Sequence, residues 1–316
     1  MSPSQPLQAA PRPFLKWAGG KRQLLDQFER FLPEAAVVNR YLEPFAGSGA
    51  VFFRVRSLLF PTRTILADSN EELINVYAVI QSDVEALITL LRRHRRLHGR
   101  EHYYAMRGKN PARLGETARA ARFIYLNKTC FNGLYRVNSR GLFNVPMGRY
   151  VNPPILDEDN LRAVSEALRG VKLLRAPFEK TLDYARPGDF IYFDPPYHPL
   201  SDTSYFTAYT EGTFRAEDQR ALARMVAELH RRGCHLMLSN SDVDPILRLY
   251  DHPEFHIGRV AARRNINSRA DRRGQVSEVV ITNYHPRAAA AEDAAGRRRP
   301  GRSAPQSRPA LPQPRI

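Results

Sequence analysis

The chain has 316 residues, 43% of them hydrophobic, which suits one large globular domain or one domain carrying an inserted second. Two widely separated cysteines, Cys130 and Cys234, exclude a disulfide framework and a cysteine-rich metal site and fit a reducing cytoplasm. The formal net charge of +16 points to a polyanionic partner, and no apolar run reaches the roughly 18 residues of a membrane span.

Residues 1–13 are rich in Pro, Gln and Ala and are expected to be disordered. A short strand over 41–43 enters the turn Pro44-Phe45-Ala46-Gly47-Ser48-Gly49, and a helix follows. A second strand over 64–67 ends in Asp68. The period then changes: helices are expected over 72–96 and 117–127, followed by a Gly/Asn-rich segment, 132–150. Its Asn138-Ser139-Arg140-Gly141 turn suggests a β-hairpin. Further strands are expected over 171–175, 190–193, 235–239, 255–260 and 278–284. Strands alternating with helical patterns argue for an α/β fold with a mostly parallel sheet. Residues 287–316 read as a flexible basic tail that adds weak DNA affinity or simply solubility.

The charge is concentrated. Residues 87–150 carry fourteen Lys/Arg against two Asp/Glu, whereas 1–86 balance at nine of each and 151–286 carry eighteen against nineteen. A solvated helix face is the ordinary fate of a charge run. Here the block lacks acids to pair its arginines, so a DNA backbone surface is the stronger reading. His94, His98 and His102 are spaced as if to line one helix face. With no carboxylate or thiol at ligand spacing, they are read as packing residues, and no metal is expected.

The most informative motif is Asp194-Pro195-Pro196-Tyr197, which follows the apolar run Phe190-Ile191-Tyr192-Phe193. Two prolines neither continue a helix nor pair in a central strand, so the strand stops and the chain turns rigidly. An acid and an aromatic are thereby fixed at the carboxyl end of a strand, where open α/β sheets place their ligands. A plain strand-ending turn with a buried Tyr is the bland alternative. The Gly47-Ser48-Gly49 turn is not the dinucleotide fingerprint, since Phe52 stands at the third glycine position. Gly19-Gly20-Lys21 is not a phosphate loop, since Arg22 replaces the required Ser or Thr and the first glycine is missing. Asp68 is placed either to bind a ribose diol or to cap the next helix in a capping-box spacing with Glu71.

Together Phe14-Leu15-Lys16-Trp17-Ala18-Gly19-Gly20-Lys21, Glu43-Pro44-Phe45-Ala46-Gly47-Ser48-Gly49, Ala67-Asp68, a long insertion and Asp194-Pro195-Pro196-Tyr197 stand in a distinctive order. This resembles the Dam-type, D12 class adenine-N6 DNA methyltransferases. The likeness runs from about residue 14 to 284 and includes segments 136–150 and 278–284. It implies a Rossmann-like sheet over 14–69 and 161–286, with an inserted, mainly helical target-recognition domain, 70–160, carrying a β-hairpin. It also implies S-adenosylmethionine as methyl donor and double-stranded DNA as substrate. Asp194 and the Pro195 carbonyl would accept from the adenine amine, Pro196 would stiffen the turn, and Tyr197 would stack on the extruded base. The proton leaves after transfer, so Asp194 needs no raised pKa. Trp17, Lys21, Glu43, Phe45, Gly47, Gly49, Asp68, Phe178 and Asp194 would line the donor site, Lys21 on the donor carboxylate. Many relatives carry an acid after the third strand for the donor's adenine; Arg175-Ala176-Pro177-Phe178 has none. Arg136 would read a guanine, with Leu134, Pro146 and Tyr150 also facing bases. Phe131 would wedge into the stack, and Asn132, Asn138, Asn144 and Arg149 would touch bases or phosphates. The implied target is GATC. Another DNA or RNA target and a catalytically silent DNA-binding protein are the competing readings, and action as a monomer is the default expectation.

Overall fold

The computed structural model describes residues 10–17, 19–198, 214–263 and 275–286. The tail, 287–316, and residues 1–9 of the expected disordered N-terminus lie outside them.

Among the described residues, seven strands form one sheet: β1 (Arg40–Glu43), β2 (Arg63–Asp68), β3 (Lys172–Arg175), β4 (Phe190–Phe193), β5 (His235–Ser241), β6 (His256–Arg263) and β7 (Gln275–Thr282). Their order is β3-β2-β1-β4-β5-β7-β6. The first five are mutually parallel, and β7 runs antiparallel between β5 and β6. All four residues of β4 are buried, as expected of a central strand covered on both faces. Because side chains alternate, Tyr41, Phe190 and Tyr192 join one apolar cluster with Phe28 and Phe52. Leu42, Ile191 and Phe193 join another with Leu222, Met225 and Leu229 of the helix Ala216–Arg231. Each such fully buried side chain contributes roughly 1.5–3 kcal/mol. The chain steps outward from β1 to β2 and β3, then returns to place β4 on the other side of β1. This reversal opens a crevice at the carboxyl ends of β1 and β4.

Several expectations change. The single helix over 72–96 is two helices, Glu71–Ser82 and Val84–Arg96, bent by 116°. The break is at Asp83, whose side chain accepts from the Ala86 N–H at 3.4 Å and caps the second helix. The bend lets both helices pack on Glu116–Thr129. Asp68 does not cap Glu71–Ser82; Asn70 does, accepting from the Leu73 N–H at 3.1 Å. No single helix among the described residues is long and apolar enough to cross a membrane.

Where the hairpin is expected, none of the seven strands lies, but Val137 and Phe143 make an isolated antiparallel bridge. Gly141 N–H donates to the Asn138 carbonyl at 2.9 Å, Asn138 N–H to the Leu142 carbonyl at 2.9 Å and Asn144 N–H to the Arg136 carbonyl at 3.1 Å. Leu134, Arg136 and Val137 are exposed, whereas Phe143 and Val145 are buried and Tyr135 and Met147 pack, partly buried, against the core. The three histidines do not share a helix, because Val84–Arg96 ends before His98. They gather around Tyr125. His94 stacks on its ring at 5.0 Å, His98 Nδ1 lies 3.0 Å from its hydroxyl, and His94 and His102 are hydrogen-bonded to each other. Burial lowers the His94 pKa to about 4, helped by the neighbouring His102. Part of the basic block also finds acids outside itself: Arg92 pairs with Glu158, and Arg119 with Glu71 and Glu72. Arg122 is buried and donates to the Met106 and Arg107 carbonyls. Arg93, Arg95, Arg96, Arg136, Arg140 and Arg149 remain exposed.

Candidate active site

Three carboxylates stand in or next to the crevice: Glu43 ends β1, Asp68 ends β2 and Asp194 follows β4. Asp194 Oδ1 is 2.8 Å from Lys21 Nζ and accepts from Ser239 Oγ of β5 at 3.0 Å. Ser239 Oγ is in turn 2.8 Å from the Tyr192 hydroxyl. The Lys21 side chain is 3% exposed and that of Asp194 21%, so this is a largely dry ion pair. Lys21 Nζ also donates to the Gly19 carbonyl at 2.8 Å and lies 4.3 Å over the Tyr197 ring. The residue expected to await the donor carboxylate is therefore held against Asp194. Burial raises the Asp194 pKa, and Lys21 and Ser239 pull it back only in part. Glu43 is pushed up further: it is buried, and the 2.6 Å bond from the Tyr41 hydroxyl offsets only part of the effect.

The loop after β4 is clamped. Pro195 is buried and Pro196 exposed. The Pro196 carbonyl accepts from Gln219 Nε2 at 3.0 Å, and Gln219 Oε1 accepts from Asn240 Nδ2 at 3.0 Å. Ser241 Oγ donates to the His198 carbonyl at 2.7 Å. The Tyr197 hydroxyl donates to Glu278 Oε2 at 2.7 Å. Burial, then the negative charges of Asp194 and Glu278, keep that phenol protonated.

The Gly-x-Gly turn is cinched to β2. Gly47 N–H donates to Asp68 Oδ2 at 3.1 Å, Asn70 N–H to Oδ1 at 2.9 Å, and the Tyr77 hydroxyl to the Gly47 carbonyl at 3.0 Å. Gly47 and Gly49 have φ of +47° and +71°, a region that strains other residues. A Cβ on Gly47 would meet Trp17 Cδ1 at 3.0 Å, and one on Gly49 the Tyr77 hydroxyl at 2.7 Å. Trp17 thus lines the turn, and its far side stacks towards Phe123 and Tyr135. Burial raises the Asp68 pKa against those two backbone bonds. Phe178, expected on the donor's ring, stacks on Phe45 with centroids 5.5 Å apart, and both rings touch Phe214. Arg175, where no acid stands, pairs with Glu71 at 2.6 Å.

Elsewhere the segment 131–150 presents Phe131, Asn132, Leu134, Arg136 and Arg149 to solvent. Asn132 has φ +55°, an uncommon value that turns the chain there. Arg136 Nε donates to Asn144 Oδ1 at 2.7 Å, so these two side chains act as a unit. Asn138 Oδ1 accepts from the Arg140 and Leu142 N–H groups, both at 3.0 Å, so its side chain shapes the turn. The Pro146 carbonyl accepts from Phe131 N–H at 2.9 Å, and Lys16 Nζ sits 3.7 Å over the Tyr150 ring.

Sequence reasoning missed Ser239, Asn240, Gln219 and Glu278. The polar run Ser239-Asn240-Ser241 closing the apolar run Leu236-Met237-Leu238 was a usable signal. Gln219 and Glu278 gave none, since their partners are distant in sequence.

The chain matches the family model of the D12 class N6 adenine-specific DNA methyltransferases over residues 17–266. It is 45% identical to a type II methyltransferase of Methanocaldococcus jannaschii, over 86% of this chain and 99% of that protein. It is 42% identical to a type II methyltransferase of Lactococcus lactis, over 86% and 95% respectively. Against a DNA adenine methylase of Escherichia coli the identity is 35%, over 87% and 96%. With a mixed seven-stranded sheet and Asp194-Pro195-Pro196-Tyr197 at the mouth of its crevice, the chain belongs to the D12 class N6 adenine-specific DNA methyltransferases.

Proposed function

We propose that the chain moves a methyl group from S-adenosylmethionine to N6 of an adenine extruded from duplex DNA, within GATC. The observation that carries this is the Asp194 carboxylate, fixed through Oδ1 by Lys21 and Ser239 beside the ring of Tyr197. The crevice suits the donor. Asp68 at the end of β2 matches a ribose diol, the acids favour a sulfonium cation, and Gly47, where a Cβ would crowd Trp17 at 3.0 Å, keeps the turn close to the indole. Bound there, the donor supplies a methyl group on a cationic sulfur, a leaving group that needs no metal.

The remaining chemistry belongs to the chain. An adenine amine is a weak nucleophile because its lone pair is delocalised into the ring. Asp194 Oδ2 and the Pro195 carbonyl accept its two hydrogens and localise that pair. Gln219 already occupies the Pro196 carbonyl, which makes Pro195 the prolyl acceptor. Both acceptors aim at the nitrogen where positive charge develops, so they stabilise the transition state more than the ground state. The amine becomes acidic on methylation, and Asp194, its pKa raised by burial, is the adjacent proton acceptor. Residues 14–69 and 161–286 form the catalytic part and 70–160 the target-recognition part. Arg136, steadied by Asn144, reads a guanine in the major groove. Leu134, Pro146 and Tyr150 face bases, and Phe131 wedges where the adenine leaves.

The test is transfer of labelled methyl to two matched DNA duplexes, one with GATC and one with its adenine replaced, and to an RNA of the corresponding sequence. Label in the GATC duplex alone, lost in Asp194→Ala, is expected. Label in both would discard the specificity. Retained turnover in Asp194→Ala would discard the role of Asp194. Label only in RNA would move the target to another nucleic acid.

A further inference from the structure

We propose that Glu278 is a positioning residue for catalysis: its carboxylate holds the Tyr197 ring in the orientation that receives the target adenine. This deepens the reading of Tyr197 as the stacking surface and rests on it. Glu278 lies on β7, opposite Ser241 of β5, so it stands on the rigid sheet while Tyr197 stands on the loop leaving β4. The bond between them is 2.7 Å and joins residues 81 apart in sequence. A hydroxyl donating to a carboxylate makes a charge-assisted bond, roughly twice as strong as a neutral one.

The loop backbone is fixed by Gln219 on the Pro196 carbonyl. That leaves the rotation of the Tyr197 side chain as the freedom to be removed. Lys21 touches one face of the ring at 4.3 Å, and Glu278 fixes its far tip. The ring plane is then set before the base arrives, and a base entering a preset slot loses less orientational freedom at the transition state. Donation to an anion also enriches the ring in electrons, which favours stacking on an adenine that is becoming positively charged.

The experiment compares Tyr197→Ala, Tyr197→Phe, Glu278→Met, Glu278→Gln and the Tyr197→Phe/Glu278→Met double variant in the full-length enzyme. Steady-state methyl transfer to a GATC duplex is measured, with thermal unfolding as the control for folding. Tyr197→Phe and Glu278→Met should each lower kcat about tenfold with donor KM unchanged, and the double variant should be no slower than either. Glu278→Gln, which keeps an acceptor oxygen, should recover kcat to within about threefold of wild type. Multiplicative losses in the double variant, or no recovery in Glu278→Gln, would overturn the proposal. If Glu278→Met does not fold, Tyr197→Phe removes the same bond from the other end, and a wild-type kcat there overturns it. Wild-type turnover in Tyr197→Ala would instead sink the stacking role itself. A crippled Tyr197→Ala beside an active Glu278→Met would sink only the positioning role.

Discussion

Replacing Lys21 by Met tests how the crevice holds its buried charges. Lys21 Nζ and Asp194 Oδ1 are 2.8 Å apart, so at an effective dielectric of about 20 their attraction is roughly 6 kcal/mol. Most of this offsets desolvation, since burial still leaves the Asp194 pKa above the ordinary aspartate value. Met fills a similar volume but strands the carboxylate. Breaking a buried pair costs about 3–5 kcal/mol, and the 21% exposure of Asp194 argues for a discount to about 2–3 kcal/mol. The variant can also escape part of the penalty by taking up a proton. Its folded Asp194 pKa rises further above the unfolded value, which is near 4. A raised folded pKa gives stability that is present below the unfolded pKa and lost as pH climbs through the folded one. The deficit of Lys21→Met should therefore be small near pH 4, grow as pH rises past the wild-type folded value, and be larger at about pH 8. Urea unfolding of wild type, Lys21→Met, Asp194→Asn and the double variant, at both ends of that range, measures it. The double variant should recover about 2 kcal/mol relative to the sum of the singles at about pH 8. A pH-independent deficit, or strict additivity, would refute the coupling of these two groups.

Glu43→Gln should unfold at a higher temperature than wild type near pH 8, with the advantage vanishing near pH 4. The buried wild-type carboxyl has a raised pKa and loses stability as pH rises, whereas the amide still accepts from Tyr41. Thermal melts across that range check it, and an advantage that persists in acid would count against it. Gly49→Ala should lose about 1–3 kcal/mol in urea unfolding, because φ of +71° strains Ala and its Cβ would sit 2.7 Å from the Tyr77 hydroxyl. Arg136→Ala should relax discrimination at the guanine by about 1–3 kcal/mol, read as the ratio of kcat/KM on GATC and on a duplex with that guanine changed. Unchanged discrimination would place the guanine reader elsewhere.

The seven strands were legible because the sheet is covered on both sides: a strand such as Phe190-Ile191-Tyr192-Phe193 must be apolar throughout, and the prolines after it must end it. The Gly47-Ser48-Gly49 turn and the acids ending β1, β2 and following β4 were legible for a similar reason, since local backbone chemistry dictates them. The break at Asp83 was not. An apolar stripe runs through both helices, and only the need to pack each on Glu116–Thr129 sets the bend. The charge block read as unpaired because Glu158, Glu71 and Glu72, which pair with Arg92 and Arg119, lie outside it. The histidine run read as one face because spacing does not show that the helix stops before His98.

Local sequence thus determined at which strand ends the candidate acids Glu43, Asp68 and Asp194 stand. Tertiary structure alone decided what each carboxylate faces: Lys21 against Asp194, Ser239 behind it, and Glu278 on the Tyr197 hydroxyl. The physical reason is that strand periodicity and turn chemistry act between neighbours. The ion pairs and hydrogen bonds of the crevice join segments that become adjacent only when β4 and β5 take their places in the sheet.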